Sequence, residues 1–296
     1  MTAVSSKGSI MHRLPRILTW AAAAALPALG LTAGLTAASA STAGAPRPAP
    51  AKAEAMAVAI IRHLHIGQHG TDHRMPGRSQ VSGLTQVQST NWSGYADTGS
   101  GFSTATGSWS EPGASCSRTT TYAAFWVGID GYNSSSVEQD GTLIECYGGT
   151  AFQFSWWEMY PTNDIQVVGQ SVAAGDSISA SVVRSGTSYT LKVTDSTHPA
   201  NSFTTTQTCS GCANSSAEWI AEAPCCTSSG GILPLANFGT WTESGATVTE
   251  GSTSGVISSF TDDEITMIDG SGHVKAQPGA LNGSGNGFSV TWKRST

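Results

Sequence analysis

From Ser89 onward the sequence predicts an all-β domain, an antiparallel sandwich with a barrel as the alternative. Three observations carry this expectation. Apolar residues recur with a period of two, clusters of Gly, Ser and Thr punctuate the chain about every ten residues, and no stretch holds a helical period. Within 151–160, residues Phe152, Phe154, Trp156, Glu158 and Tyr160 share one face of a strand, with Gln153 and Ser155 opposite. Ile178, Ala180 and Val182 alternate with Ser177, Ser179 and Ser181. Ser185-Gly186 then turns the chain into Tyr189, Leu191 and Val193, set against Thr190, Lys192 and Thr194, which reads as a hairpin. About 208 residues are ample for one core, and no internal repeat is evident.

The chain opens differently. Lys7, Arg13 and Arg16 precede an apolar run from Ile17 to Leu35 that ends at Ala38-Ser39-Ala40, the pattern of a cleaved export signal. Pro27, Gly30 and Gly34 make this run a poor membrane span, and no comparable run follows it. Residues 1–40 are therefore expected to be a signal peptide, and the product to be secreted, extracellular and free of the membrane. Residues 41–88 alternate Pro and Ala, then become basic and His-bearing, with too few large apolar residues to fold alone. They read as a pro-segment ahead of a single domain, 89–296.

Charge is divided along the chain. The formal net charge of −6 hides the fact that eight of fourteen Lys and Arg lie before residue 89, but only two of twenty acids, Glu54 and Asp72. The remainder carries six bases against eighteen acids. Such a surface is not built for nucleic acid or anionic lipid, and it suits an acidic medium, where few positive charges are left to repel one another. Six cysteines, Cys116, Cys146, Cys209, Cys212, Cys225 and Cys226, fall in the domain, an even number that reads as disulfides in an exported protein. Cys209-Ser-Gly-Cys212 lacks a second pair at zinc-ligand spacing, so local loop staples are expected there.

Elimination narrows the chemistry. Five of seven His precede residue 89, leaving His198 and His273 in loop-like positions. A Ser-His-Asp hydrolase would have to use one of those two, and oxidised cysteines would rule out a Cys–His pair. The cluster His63, His65, His69 and His73 has metal-like spacing, yet it sits in the segment expected to be removed. What remains is carboxylates, amides and hydroxyls.

Four ordered motifs stand out. They are Asn91-Trp92-Ser93-Gly94; Trp126-Val127-Gly128-Ile129-Asp130-Gly131 followed by Gln139; Trp157-Glu158-Met159-Tyr160-Pro161; and Ala217-Glu218-Trp219-Ile220-Ala221-Glu222. Singly each has a structural explanation, since Trp on strands is usually core and a Gln before Asp-Gly is usually a hairpin shoulder. Together, and in this order, they resemble the glutamic peptidases, or eqolisins, over about Asn91 to Asp269. The resemblance implies a concanavalin-like sandwich of two curved antiparallel sheets and a secreted acid endopeptidase acting on protein and peptide substrates. It also implies Gln139 as the catalytic amide and Glu222 as the catalytic carboxylate, with Trp92, Trp126, Asp130, Trp156 and Glu158 lining or supporting the cleft. Glu218 is the competitor for Glu222, which is preferred by motif register. No metal or organic cofactor is required. The pro-segment is the expected inhibitor, and a monomer is expected. Two departures from fungal members are the absence of a cysteine between Asp130 and Gln139, and Phe154 where an acid can stand. A sandwich glycosidase using two acids and a non-catalytic carbohydrate-binding sandwich are the rival readings.

Overall fold

The computed structural model describes residues 79–81, 84–225 and 231–296. Residues 1–40, expected to be a signal peptide, and most of 41–88, expected to be a pro-segment, lie outside the described residues, as do the His cluster and Cys226. Strands dominate: β1 (Ser79–Val81), β2 (Leu84–Ser89), β3 (Trp92–Thr98), β4 (Phe102–Ser110), β5 (Thr121–Ile129) and β6 (Val137–Tyr147) come first. They are followed by β7 (Thr150–Tyr160), β8 (Asn163–Ser171), β9 (Ser177–Ser185), β10 (Ser188–Asp195), β11 (Phe203–Thr208) and β12 (Ser216–Glu222). The last are β13 (Thr240–Glu250), β14 (Thr253–Gly255), β15 (Asp262–Ile268), β16 (Val274–Pro278) and β17 (Phe288–Trp292). Helical structure among the described residues amounts to two 3₁₀ turns, Pro199–Asn201 and Ile257–Ser259.

The strands form two sheets. The larger runs β8–β7–β6–β5–β12–β3–β15–β2–β1, and β16, β17 and the start of β13 continue it from β15. The smaller runs β11–β10–β9–β4–β13–β14. An isolated bridge from Tyr122 to Leu235 is parallel, and among the described strands every pairing is antiparallel except β2 with β15. That pairing places 84–89 in the sheet although the tract has little apolar character, because ladder bonds to a neighbour satisfy its backbone without a core of its own. Among the described residues the β-structure thus begins at Ser79, ahead of Ser89. Strand β13 belongs to both sheets: Thr240–Glu243 pair with β17, and from Ser244 the strand pairs with β4. A register shift between Ser244 and Thr247, with Gly245 at φ 67°, turns it from one sheet to the other.

The expected alternation is present. On β5, Ala123, Phe125, Val127 and Ile129 enter the core between the sheets, with Trp109, Ile178, Val182 and Leu191 of the smaller sheet and Trp241 at the start of β13. Their neighbours Tyr122, Ala124 and Trp126 join Trp92, Leu143, Phe154, Trp156, Ile220 and Ile265 in a second apolar cluster on the opposite face of the larger sheet. The β9–β10 hairpin closes as read, with Ser185 opposite Ser188 and Gly186 at φ 62° in the two-residue loop. Disulfides join Cys116 to Cys146 and Cys209 to Cys212, and Cys225 is also oxidised. The Cys209–Cys212 staple removes both sulfurs as thiolate ligands.

Candidate active site

The face of the larger sheet away from the smaller one carries the site, and β5 and β12 lie at its centre. Along β12, Ala217, Trp219 and Ala221 enter the core, so Glu218, Ile220 and Glu222 project to the other face. Glu222 pairs with Ala124 on β5 and with Trp92 on β3. Both of its carboxyl oxygens accept: Trp126 Nε1 donates to Oε2 at 2.9 Å and Asn91 Nδ2 to Oε1 at 3.2 Å. The Trp126 ring meets Trp92 edge-on, with centroids 4.9 Å apart.

Gln139 lies on β6 between Gly128 of β5 and Glu158 of β7. Its Nε2 donates to Glu158 Oε2 at 2.8 Å. Gly128 makes the arrangement possible: a Cβ there would stand 2.9 Å from the Trp126 ring and 3.3 Å from the Gln139 Cβ. Gly141 does the same between Trp126 and Trp156, which flank it, because a Cβ would sit 2.0 Å from the Phe125 carbonyl oxygen. Burial pushes the Glu158 carboxyl well above the usual range, the Gln139 donor pulls it back, and the charge of Glu222 raises it further. The charge of Glu222 thus bears on the Glu158 carboxyl. Gln139, Glu158, Glu222, Trp92, Trp126 and Trp156 occupy one face and are all buried.

Asp130 is differently used. It ends β5 at φ 68° and accepts from Asn214 N at 2.7 Å, Ser215 N at 2.8 Å, Ser215 Oγ at 3.1 Å and Ser136 Oγ at 3.3 Å. Its carboxylate ties two loops together, a supporting place instead of a cleft-lining one. Glu218 faces Gly128 in register, and its surroundings are acidic: burial first, then the charges of Asp130 and Glu138, hold it well above the usual range. The two histidines pair with aspartates, His198 with Asp176 at 2.8 Å and His273 with Asp269 at 3.0 Å. Both rings are more than half exposed, and among the described residues neither is hydrogen-bonded to a serine, so no Ser-His-Asp triad is assembled.

Asn91 is the site residue that the sequence reading left without a role. It opens the first motif, but its partner is 131 residues away, and no local pattern reports such a contact.

A sequence model described as the Peptidase A4 family matches residues 90–290, more than half of the chain. The chain belongs to that family. Among relatives of this Peptidase A4 chain, scytalidopepsin B from Scytalidium lignicola is 29% identical over 167 residues, which cover 54% of this chain and 63% of that protein. Among solved structures, scytalido-glutamic peptidase with a transition-state analog inhibitor superposes with a TM-score of 0.60 at 24% identity, covering 69% of this chain and 98% of the other. Aspergilloglutamic peptidase from Aspergillus niger gives a TM-score of 0.51 at 27% identity, covering 58% and 99%. The two-sheet architecture of this Peptidase A4 chain is thus shared with both glutamic peptidases, and all four motifs lie inside the matched region.

Proposed function

We propose that this chain is a secreted acid endopeptidase in which Glu222 and Gln139 activate a water against a peptide bond. The observation that carries the reading is the pair of N–H donors on Glu222, on the same sheet face as an amide pinned to Glu158. Donors on both carboxyl oxygens favour the ionised form, so Glu222 can take a proton from water as it attacks the scissile carbonyl. The same group then returns that proton to the leaving nitrogen, and no covalent intermediate forms. Gln139 Nε2 donates to Glu158, and the same amide is the donor this reading assigns to the developing oxyanion. Trp92, Trp126 and Trp156 shape the cleft, Glu158 orients the amide, and Asp130 braces the loops at its end. Protein and peptides are the substrates. Assay of unlabelled protein and polysaccharide across acid pH tests the reading: proteolysis alone is expected, and polysaccharide cleavage without proteolysis would replace it with a glycosidase.

In the same proposal residues 1–40 direct export, and 41–88 form an inhibitory pro-segment. That segment carries Arg47, Lys52, Arg62, Arg74 and Arg78 with two acids and four His, against a domain rich in carboxylates. Near neutral pH the two attract; in acid the domain's carboxylates are protonated, and charging the His cannot restore a partner that has lost its charge. A synthetic 41–88 peptide is expected to bind the domain tightly near neutral pH and low salt, and weakly in acid or high salt. Equal affinity under all conditions would reject electrostatic docking.

A further inference from the structure

The start of the domain is wired to Glu222 by a short hydrogen-bond chain. We propose that Ser89 and Asn91 are positioning residues whose fixed orientation keeps a donor on Glu222 and so favours its carboxylate form. The inference rests on the reading of Glu222 as the general base.

Ser89, at the end of β2, accepts two backbone N–H groups on its Oγ, from Asn91 at 3.3 Å and Trp92 at 3.1 Å. A serine hydroxyl has two acceptor lone pairs and one hydrogen. With both lone pairs engaged, the hydrogen is left to donate, and Asn91 Oδ1 receives it at 3.1 Å. The amide oxygen of Asn91 is thereby committed to Ser89, and its Nδ2 faces Glu222 Oε1. Turning the amide over would aim Oδ1 at the carboxylate and strand the serine hydrogen. Ser89, Asn91 and Glu222 are exposed by 2%, 1% and 0%, so bulk water is not at hand to replace a lost partner. Among the described groups around Glu222, β3 and β5 present the neutral Trp92 and Trp126, and β6 the neutral Gln139. Glu158 on β7 is an ionisable neighbour, and its charge would oppose that of Glu222. Donation from Asn91 acts the other way, toward ionisation.

The test uses the chain as secreted, with pH–rate profiles of wild type, Asn91→Ala, Ser89→Ala and Ser89→Thr. Alongside them, the Glu222 carboxyl is titrated through its carbon-13 resonance, assigned by its loss in Glu222→Gln. Asn91→Ala is expected to move both the Glu222 titration and the acid limb of the profile to higher pH by about one unit, roughly a tenfold lower rate on that limb. Ser89→Ala should move them the same way by less, since the amide is freed but present. Ser89→Thr keeps the hydroxyl and should restore the wild-type limb. An unmoved Glu222 titration in Asn91→Ala, or identical behaviour of Ser89→Ala and Ser89→Thr, would overturn the proposal. A titration that moves while the acid limb stays in place would uphold the hydrogen-bond chain and sink the general-base reading instead.

Discussion

Glu222→Gln should lower turnover by ~10²–10⁴-fold while leaving the protein folded, because the amide keeps the shape of the carboxyl but cannot carry a proton. The donors that now reach Glu222, Trp126 Nε1 and Asn91 Nδ2, would meet one amide oxygen and one NH₂ group, so some local adjustment is expected without loss of the core. Gln139→Ala should cost ~10²–10³-fold as a lost oxyanion donor. The double variant should be hardly worse than the poorer single one, since groups that act as a unit are not additive. Glu218→Gln is the control. Its carboxyl is held well above the usual range by burial, so in acid it is already neutral, and an amide of the same shape should retain most activity. Steady-state proteolysis in acid, with near-ultraviolet circular dichroism to confirm folding, decides the matter. Wild-type rates in folded Glu222→Gln and Gln139→Ala would refute the site. Loss at Glu218 with retention at Glu222 would move the catalytic carboxylate four residues along β12.

The second large effect is a loss of stability as pH rises from about 4 toward 9, opposite to the usual acid denaturation. Burial, with the charge of Asp262 next, pushes Asp97 up to about 9, and burial and Asp130 push Glu138 up to about 10. Burial likewise raises Glu111 and Glu145 to about 7. Asp97 stands opposite Asp262 in the β3–β15 register, so two carboxyls face each other across the ladder. An acid whose native pKa lies above its unfolded value binds more protons folded than unfolded between the two values. Its contribution is complete below about pH 4, where both states are protonated, and disappears as pH climbs through the native pKa. Each such group removes up to about 1.4 kcal/mol per pH unit over that window. Urea midpoints measured at several pH values in the Glu222→Gln background, which avoids self-digestion, should fall steadily above about pH 4. Asp97→Asn and Glu138→Gln should flatten that fall. A midpoint that rises between pH 4 and 7 would contradict the buried protonated acids.

The strand pattern was legible because side chains alternate across a pleated sheet, so Phe154, Trp156 and Glu158, or Ile178, Ala180 and Val182, declare their common face locally. The β9–β10 hairpin was legible for the same reason, since Ser185-Gly186 supplies a turn that two short strands need. Motif order pointed to Gln139 and Glu222 through resemblance, and composition excluded a histidine-based site by leaving only His198 and His273 after residue 89. By itself, then, the sequence determined the all-β class, the alternating faces and the kind of chemistry available. Tertiary structure decided the rest. Asn91 reaches Glu222 across the β3–β12 pairing, Gln139 reaches Glu158 across β6–β7, and Cys146 finds Cys116 instead of a near neighbour. Whether a carboxyl such as Asp97, Glu138 or Glu218 is solvated or sealed in also depends on what packs over it. Strand alternation says only which face a side chain takes, whereas a hydrogen bond, a disulfide or a shifted pKa depends on which strand lies beside it and in what register. That choice is made by the packing of the whole sandwich, between residues whose separation along the chain carries no record of their distance in space.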